Sequence, residues 1–282
     1  MCEPYKNLYF KMRNKVNKVT IGADPELFMR KDDEIVSAEG LIGGTKDDPK
    51  YITEDGHAIQ EDNVMMEFNV PPSDNAIKFV EDINLVKEHL TTLAALHDST
   101  IAIVASAELD QKWLNTDQAR LFGCEPDFDV YLKRPNDAPD PEGTLRTAGG
   151  HIHIGFEEPT QEVQEEIIYA MDMILGLESV TLDKDDRRKE MYGKAGCFRF
   201  KDYGVEYRSL SNFWIATDEL ITWAFDKTME AVDLVNSGVV LELVEKFGDQ
   251  VKLSIDDNDK SLAVSLQEKI EAHIIEKEVV TT

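Results

Sequence analysis

Four stretches of the chain each set two reactive side chains two residues apart. They are Asp24 and Glu26 in GADPELF, Glu67 and Asn69 in MMEFNV, His151 and His153 in GGHIHIG, and Glu206 and Arg208 in GVEYRSL. In an extended strand, residues i and i+2 point to the same face. The alternate positions are apolar: Met66, Phe68 and Val70, then Ile152 and Ile154, then Val205 and Tyr207. Three of these segments therefore read as strands with one apolar face and one chemically active face. The first is less regular, because Pro25 separates its two carboxylates. An ordinary half-exposed sheet gives the same alternation, but Asp and Asn are depleted in strands and suggest more than solvation. Carboxylates with imidazole on one face are ligands that Mg²⁺ or Mn²⁺ can use. Four carboxylates in one cleft repel one another unless cations neutralise them.

A basic stretch, RRKEMYGKAGCFRFK, lies between the histidine pair and the last strand. Arg188, Lys194 and Arg199 are candidates for phosphate contacts, with Gly193 and Gly196 allowing a tight loop. A solvated loop would have similar composition. The contrast with the rest of the chain is what distinguishes it: 30 Lys and Arg face 56 Asp and Glu, for a net charge of −26. That charge repels nucleic acid over any broad surface. No GxxxxGKS loop and no GxGxxG after a strand is present, so Walker-type and Rossmann nucleotide sites are not indicated.

The elements that must carry these residues follow from periodicity. Strands are expected at 19–30, 34–38, 64–70, 101–107, 147–156 and 204–210, with the third stopped by Pro71-Pro72. Helices are expected from Ser73 or Asp74 to Leu96, from Thr160 to Leu182, and over 218–236 and 261–276. Residues 1–18 read as a basic arm, and 39–57 and 134–143 as loops. Strands separated by long helices indicate an α+β fold with an antiparallel-rich sheet. Cys2, Cys124 and Cys197 are odd in number and show no CxxC spacing, as in a reducing compartment. The basic start lacks a continuous apolar run and no segment reaches membrane-spanning length. A soluble, cytoplasmic protein without a membrane partner is expected.

Four ordered blocks, GADPELF, QEDNVMMEFNVPP, AGGHIHIG and YGKAGCFRFKDYGVEYRSLSNFW, resemble the phage-type COOH–NH2 ligases, relatives of glutamate–cysteine ligases and glutamine synthetases. The resemblance covers about residues 19–215. It implies a glutamine synthetase-like catalytic domain over 19–282, in which a curved, mainly antiparallel sheet forms a funnel with helices on its outer face. It implies ATP-dependent amide formation through an acyl phosphate with Mg²⁺ or Mn²⁺, in the host cytoplasm if the protein is phage-encoded. The implied metal ligands are Asp24, Glu26, Glu67, His151 and Glu206, with a further one just upstream of Glu67, where Glu61 is preferred to Asp62. Arg208 inherits stabilisation of the transferring phosphoryl group, with Glu206 and Arg199 beside it. His153, Arg188, Lys194, Arg199 and Arg208 face the nucleotide, and Asn69, Asp62 and Asn63 are left for substrate. The proton acceptor for the amine is sought among the acidic residues of 52–62, with His57 a weaker candidate.

The partners implied are a small-molecule or peptide carboxylate and an amine. The acidic C-terminal helices either pack on the sheet or join copies into a homo-oligomer. Two alternatives share the scaffold: a guanidino kinase-like phosphotransferase, and a non-catalytic virion or binding protein. GGHIHIG favours the ligase over the first, and the retained ligand residues argue against the second.

Overall fold

The computed structural model describes residues 15–120, 127–137 and 143–281. Most of the expected N-terminal arm, with Cys2, and also Cys124, lie outside the described residues; Cys197 is buried.

The alternating segments become strands of one large sheet, beside a separate two-stranded one. In chain order these are β1 (Thr20–Ala23), β2 (Glu26–Lys31), β3 (Glu34–Val36), β4 (Lys50–Tyr51), β5 (Ala58–Asp62), β6 (Met65–Ser73) and β7 (Thr100–Ala102). After β8 (Ser106–Glu108) come β9 (Phe128–Asp129), β10 (Arg134–Pro135), β11 (Leu145–Thr147), β12 (Ile152–Gly155), β13 (Cys197–Lys201) and β14 (Gly204–Tyr207). The main path runs β10-β9-β13-β14-β12-β1-β6-β2-β3, with β5 on β6, β4 on β5 and β7 on β2. Strands β8 and β11 pair separately. Every named pairing in the main sheet is antiparallel.

Pro71-Pro72 do not end the third expected strand. Strand β6 runs through them to Ser73, and its register against β1 shifts between Ala23↔Val70 and Ile21↔Ser73. A bulge at that point skips the ladder bonds that proline cannot donate. The helix that follows starts later than expected. Asn75, not Ser73 or Asp74, caps it by accepting from Lys78 N at 3.0 Å.

The apolar strand faces meet a helical layer. Helix α1 (Ala76–Ala95) buries Phe79, Ile83, Val86 and Leu90, and a single turn, α2 (Asp117–Arg120), buries Ala119 in a second, smaller cluster with Phe28 and Val64. Helix α3 (Gln161–Met171) passes through a π-helical turn at Asp172–Gly176 into α4 (Leu177–Leu182). Helices α5 (Asp218–Ser237), α6 (Val240–Asp256) and α7 (Lys260–Thr281) complete the layer. Helix α6 was not expected from the sequence. One continuous core joins Met66, Phe68, Ile152, Ile154, Val205 and Tyr207 from the sheet to Ile167, Ile221, Val251 and Ile270 from the helices. Full burial of each such side chain stabilises the fold by about 1.5–3 kcal/mol. Beneath the active strands, Tyr207 donates its hydroxyl to Asp172 at 2.7 Å, and burial pushes the Asp172 carboxyl up to about 7.

Helices on one face leave the other face of the sheet open to carry polar side chains. No helix among the described residues is long and apolar enough to cross a membrane.

Candidate active site

Ladder register sorts the reactive residues into two cross-strand rows. His153 stands opposite Gly22 on one side and Glu206 on the other, and Glu206 stands opposite Arg199. Glu26 stands opposite Glu67, which stands opposite Gln60. Asp24, between β1 and β2, joins the rows. Directly opposed residues share a face, so the rows close around one cavity of about 410 Å³. Its lining includes Asp24, Glu26, Asp62, Glu67 and Asn69 together with Arg199, Lys201, Glu206 and Arg208.

The turn before β12 is shaped by its glycines. A Cβ on Gly150 would fall on the Ser211 carbonyl and the Trp214 indole, and the Trp214 indole donates to Gly150 O at 3.0 Å. The Gly149 amide donates to Glu26 Oε2 at 2.5 Å, and the Glu26 amide donates to Gly149 O at 2.9 Å. The Gly149-Gly150 pair therefore brings the histidine segment against the β1–β2 corner.

Asp24, His153 and Glu206 each offer a ligand atom, all within 4.8 Å of one another. The sequence reading makes His151 the ligand and sets His153 toward the nucleotide; His151 Nδ1 also lies 3.9 Å from Glu206 Oε1, so both histidines border the group. His153 lies in the ladder, directly across from Glu206. Its other ring nitrogen, Nδ1, bonds the Tyr203 hydroxyl. His151 precedes the ladder; its Nδ1 lies 3.2 Å from Asp24 Oδ1 and 3.1 Å from Arg208 Nη1. Asp24 Oδ1 and His153 Nε2 are 3.1 Å apart and buried, yet neither makes a hydrogen bond of proper geometry, and nor does Glu206 Oε2. Oxygen and imidazole donors so arranged fit a divalent cation.

The electrostatics point the same way. Burial and Asp24 push Glu206 up, but Arg208, His153 and His151 bring it down to about 2. Burial also raises Asp24, yet His153 and His151 outweigh it and hold that carboxyl well below the usual range. Burial lowers His153, but Asp24 and Glu206 raise it further. Glu67 moves the other way. Burial, then the charges of Asp24, Asp62 and Glu26, raise it well above the ordinary value, with the Gln60 amide at 2.8 Å opposing. Burial also raises Glu26 despite His151. A divalent cation among these groups would relieve the repulsion that lifts Glu67.

Several expected residues sit elsewhere. Glu61 faces away from the cavity and accepts from the amides of Gly40, Ile42 and Gly43 at 2.7, 3.1 and 2.9 Å. The hairpin register, Gln60↔Glu67 and Asp62↔Met65, turns Asp62 inward and Glu61 outward. Lys194 is exposed outside the cavity lining. Arg188 lines the cavity, but its Nε, Nη1 and Nη2 donate to the carbonyls of Ala148, Ser209 and Arg208, tying β14 to the glycine turn. Asn63 lines the floor in a left-handed turn, φ 55°, donating to Ala119 O at 2.9 Å and accepting from Arg146 Nε at 3.1 Å. His57 is buried on the helix side, bonded to Asp82 at 2.8 Å and the Thr53 hydroxyl at 2.7 Å.

Other residues of the site were not anticipated. Lys201 Nζ lies 2.7 Å from Glu206 Oε2. It follows Arg199 at strand spacing in CFRFK, so the rule that found the four pairs could have found it. Asp127, Gln60 and Tyr192 also line the cavity. Asp127 gave no local signal, because its place depends on β9 pairing with β13.

Residues 145–237 match the model of the phage phiEco32-like COOH.NH2 ligase family, type 2. The match contains His151, His153, Arg199, Glu206 and Arg208, and does not extend to the acidic strands. Two solved structures are similar. The first, "Apo GmaS without ligand", is 11% identical, with 92% of this chain and 69% of that chain covered at a TM-score of 0.44. The second, a cryo-EM structure of Plasmodium falciparum glutamine synthetase, is 11% identical, with 80% and 55% covered at a TM-score of 0.36. The chain thus spans about half the length of that glutamine synthetase. No curated protein matches the chain.

Proposed function

We propose that this chain, whose residues 145–237 match a ligase family model, is an ATP-dependent carboxylate–amine ligase with one catalytic unit over 19–282. The observation that carries the reading is the Asp24–His153–Glu206 cluster set directly beside Arg199, Arg208 and Lys201 in one cavity.

A carboxylate is a poor electrophile at neutral pH and needs a leaving group. In the proposed reaction its oxygen attacks the γ-phosphorus of ATP, the bond to the bridging oxygen breaks, and ADP leaves. The amine nitrogen then attacks the acyl carbon, the bond to phosphate breaks, and the nitrogen gives up a proton. A divalent cation held by Asp24, His153 and Glu206, with Glu26 and Glu67 nearby, would supply positive charge to the phosphate oxygens. Arg208 and Arg199 meet the negative charge that develops at the transferring group and at the tetrahedral adduct. Of the acidic residues between 52 and 62, Asp62 is the one that lines the cavity, and it is the proton acceptor in this reading. A second groove of about 460 Å³ shares His153 and Asn69 with the cavity and continues over Val70, Pro72, Phe156 and Tyr203. Its apolar lining suits the base of the nucleotide.

The test is ADP release with Mg²⁺ across a panel of amines and carboxylates. Release should require one member of each class, and mass spectrometry should find the amide. Glu67→Gln should reduce the rate by at least about a hundredfold, the scale on which charge-placing groups act. Full activity in that variant would remove the assignment of the acidic row, and a phosphoguanidine product would replace the reaction class.

A further inference from the structure

One buried carboxylate touches the cavity's cations and has no part in the reaction as set out above. Asp127 directly precedes β9, which pairs with β13 through Cys197↔Asp129 and Phe198↔Phe128. One step further along the same register, Asp127 stands opposite Arg199. Its Oδ1 lies 2.6 Å from Arg208 Nε and 3.6 Å from Arg199 Nε; the first is an ion-pair contact without proper hydrogen-bond geometry. It is buried and lines the cavity. The backbone that carries it is held in place: Asp127 O accepts from Asn136 N at 2.7 Å, and Asp129 Oδ1 accepts from the Tyr131 and Leu132 amides at 2.8 and 3.0 Å.

Two guanidinium groups side by side repel each other, and each can rotate about its long stem. Glu206 pairs with Arg208 Nη1 and lies 3.9 Å from Arg199 Nη1, so it anchors the outer nitrogens from the metal side. Asp127 approaches the Nε of both from the other side. Nε is the nitrogen nearest the chain, so a carboxylate charge there draws the group to one side and restricts how its outer donors turn. Carboxylate and guanidinium alternate across three strands, and the row continues through Glu206 to His153. The Glu206 and Asp127 charges, against an opposing effect of burial, raise the Arg208 pKa further.

We propose that Asp127 is a positioning residue that orients Arg208 and Arg199 as a paired receptor for the phosphate groups of a nucleoside triphosphate. The ligand in this inference rests on the ligase reading above; the pairing itself does not. A carboxylate that merely occupied the anion site would compete with phosphate, and its removal would tighten binding. A carboxylate that aligns the arginines does the opposite.

Two measurements on the full chain decide this. In ¹⁵N-resolved NMR of arginine side chains, Arg208 Nε–H should be shifted and slow to exchange with solvent. Asp127→Asn should abolish that protection, and Asp127→Glu should restore part of it. In calorimetric titration with a non-hydrolysable ATP analogue and Mg²⁺, Asp127→Asn should weaken binding at least about tenfold, as expected when a binding group is misplaced by about an ångström. In an Arg199→Lys, Arg208→Lys background the same change should weaken binding less than about twofold, because both groups it aligns are gone. Tighter binding in Asp127→Asn, an equal loss in both backgrounds, or an unprotected Arg208 Nε–H would each overturn the proposal. No analogue binding by the wild-type chain would sink the nucleotide reading and the ligand assigned here, while the NMR arm would still decide the pairing.

Discussion

At the scale of single residues, the site crowds carboxylates that repel one another. Glu67 is the clearest case, buried among Asp24, Asp62 and Glu26 with one neutral amide for company. Because its folded pKa lies above the unfolded value, its contribution to stability is fully present below about pH 4.5 and is lost as pH rises through the folded pKa. Glu67→Gln should therefore raise the unfolding temperature at pH 8 in the absence of divalent ions and change it little at pH 4, even as it removes ADP release. A variant no more stable than wild type at pH 8 would show that the repulsion is relieved some other way. Glu206 behaves oppositely. Its depressed pKa contributes stability that is present above about pH 4.5 and is lost as pH falls toward about 2.

At the scale of elements, one strand end decides how the acidic wall is held. The hairpin β4–β5 borders the cavity through Tyr51, Gly56 and Ala58, while His57 turns to the helix side and bonds Asp82 of α1. Asp82 is also paired with Lys78. His57→Ala would leave a buried carboxylate short of a partner, at about 1–3 kcal/mol. Urea unfolding should show that loss, and His57→Gln, which can still donate to Asp82, should recover much of it. Equal losses in both variants would mean that packing, and not the hydrogen bond, anchors the hairpin. The same element explains why Glu61 serves the fold. Its three backbone amide partners order the loop at Gly40–Gly43, a stabilising role that needs the outward face of β5.

At the scale of the whole molecule, a net charge of −26 stores self-repulsion that salt screens. The unfolding temperature should rise with NaCl from low ionic strength. Millimolar Mg²⁺ should raise it further at matched ionic strength, and Asp24→Asn should remove the extra increment while keeping the NaCl effect. An identical response to Mg²⁺ in both proteins would place the ion on the acidic surface at large.

The four polar pairs were legible because period-two alternation is a property of the local chain: Glu67 with Asn69, and Glu206 with Arg208, face one way whatever the strand pairs with. Helices α1, α3, α5 and α7 were legible for the same reason, through their apolar stripes and caps. The sequence did not specify register. A one-residue slip exchanges the two faces of a strand, so the choice between Glu61 and Asp62 waited on the Gln60↔Glu67 pairing. That His153 stands beside Glu206 waited on the pairing of β12 with β14. Asp127 meets Arg199 only because β9 pairs with β13 far along the chain. Sequence alone determined which side chains could do chemistry; the tertiary structure decided which of them share a cavity, because contacts between distant strands are fixed by the packing of the whole sheet.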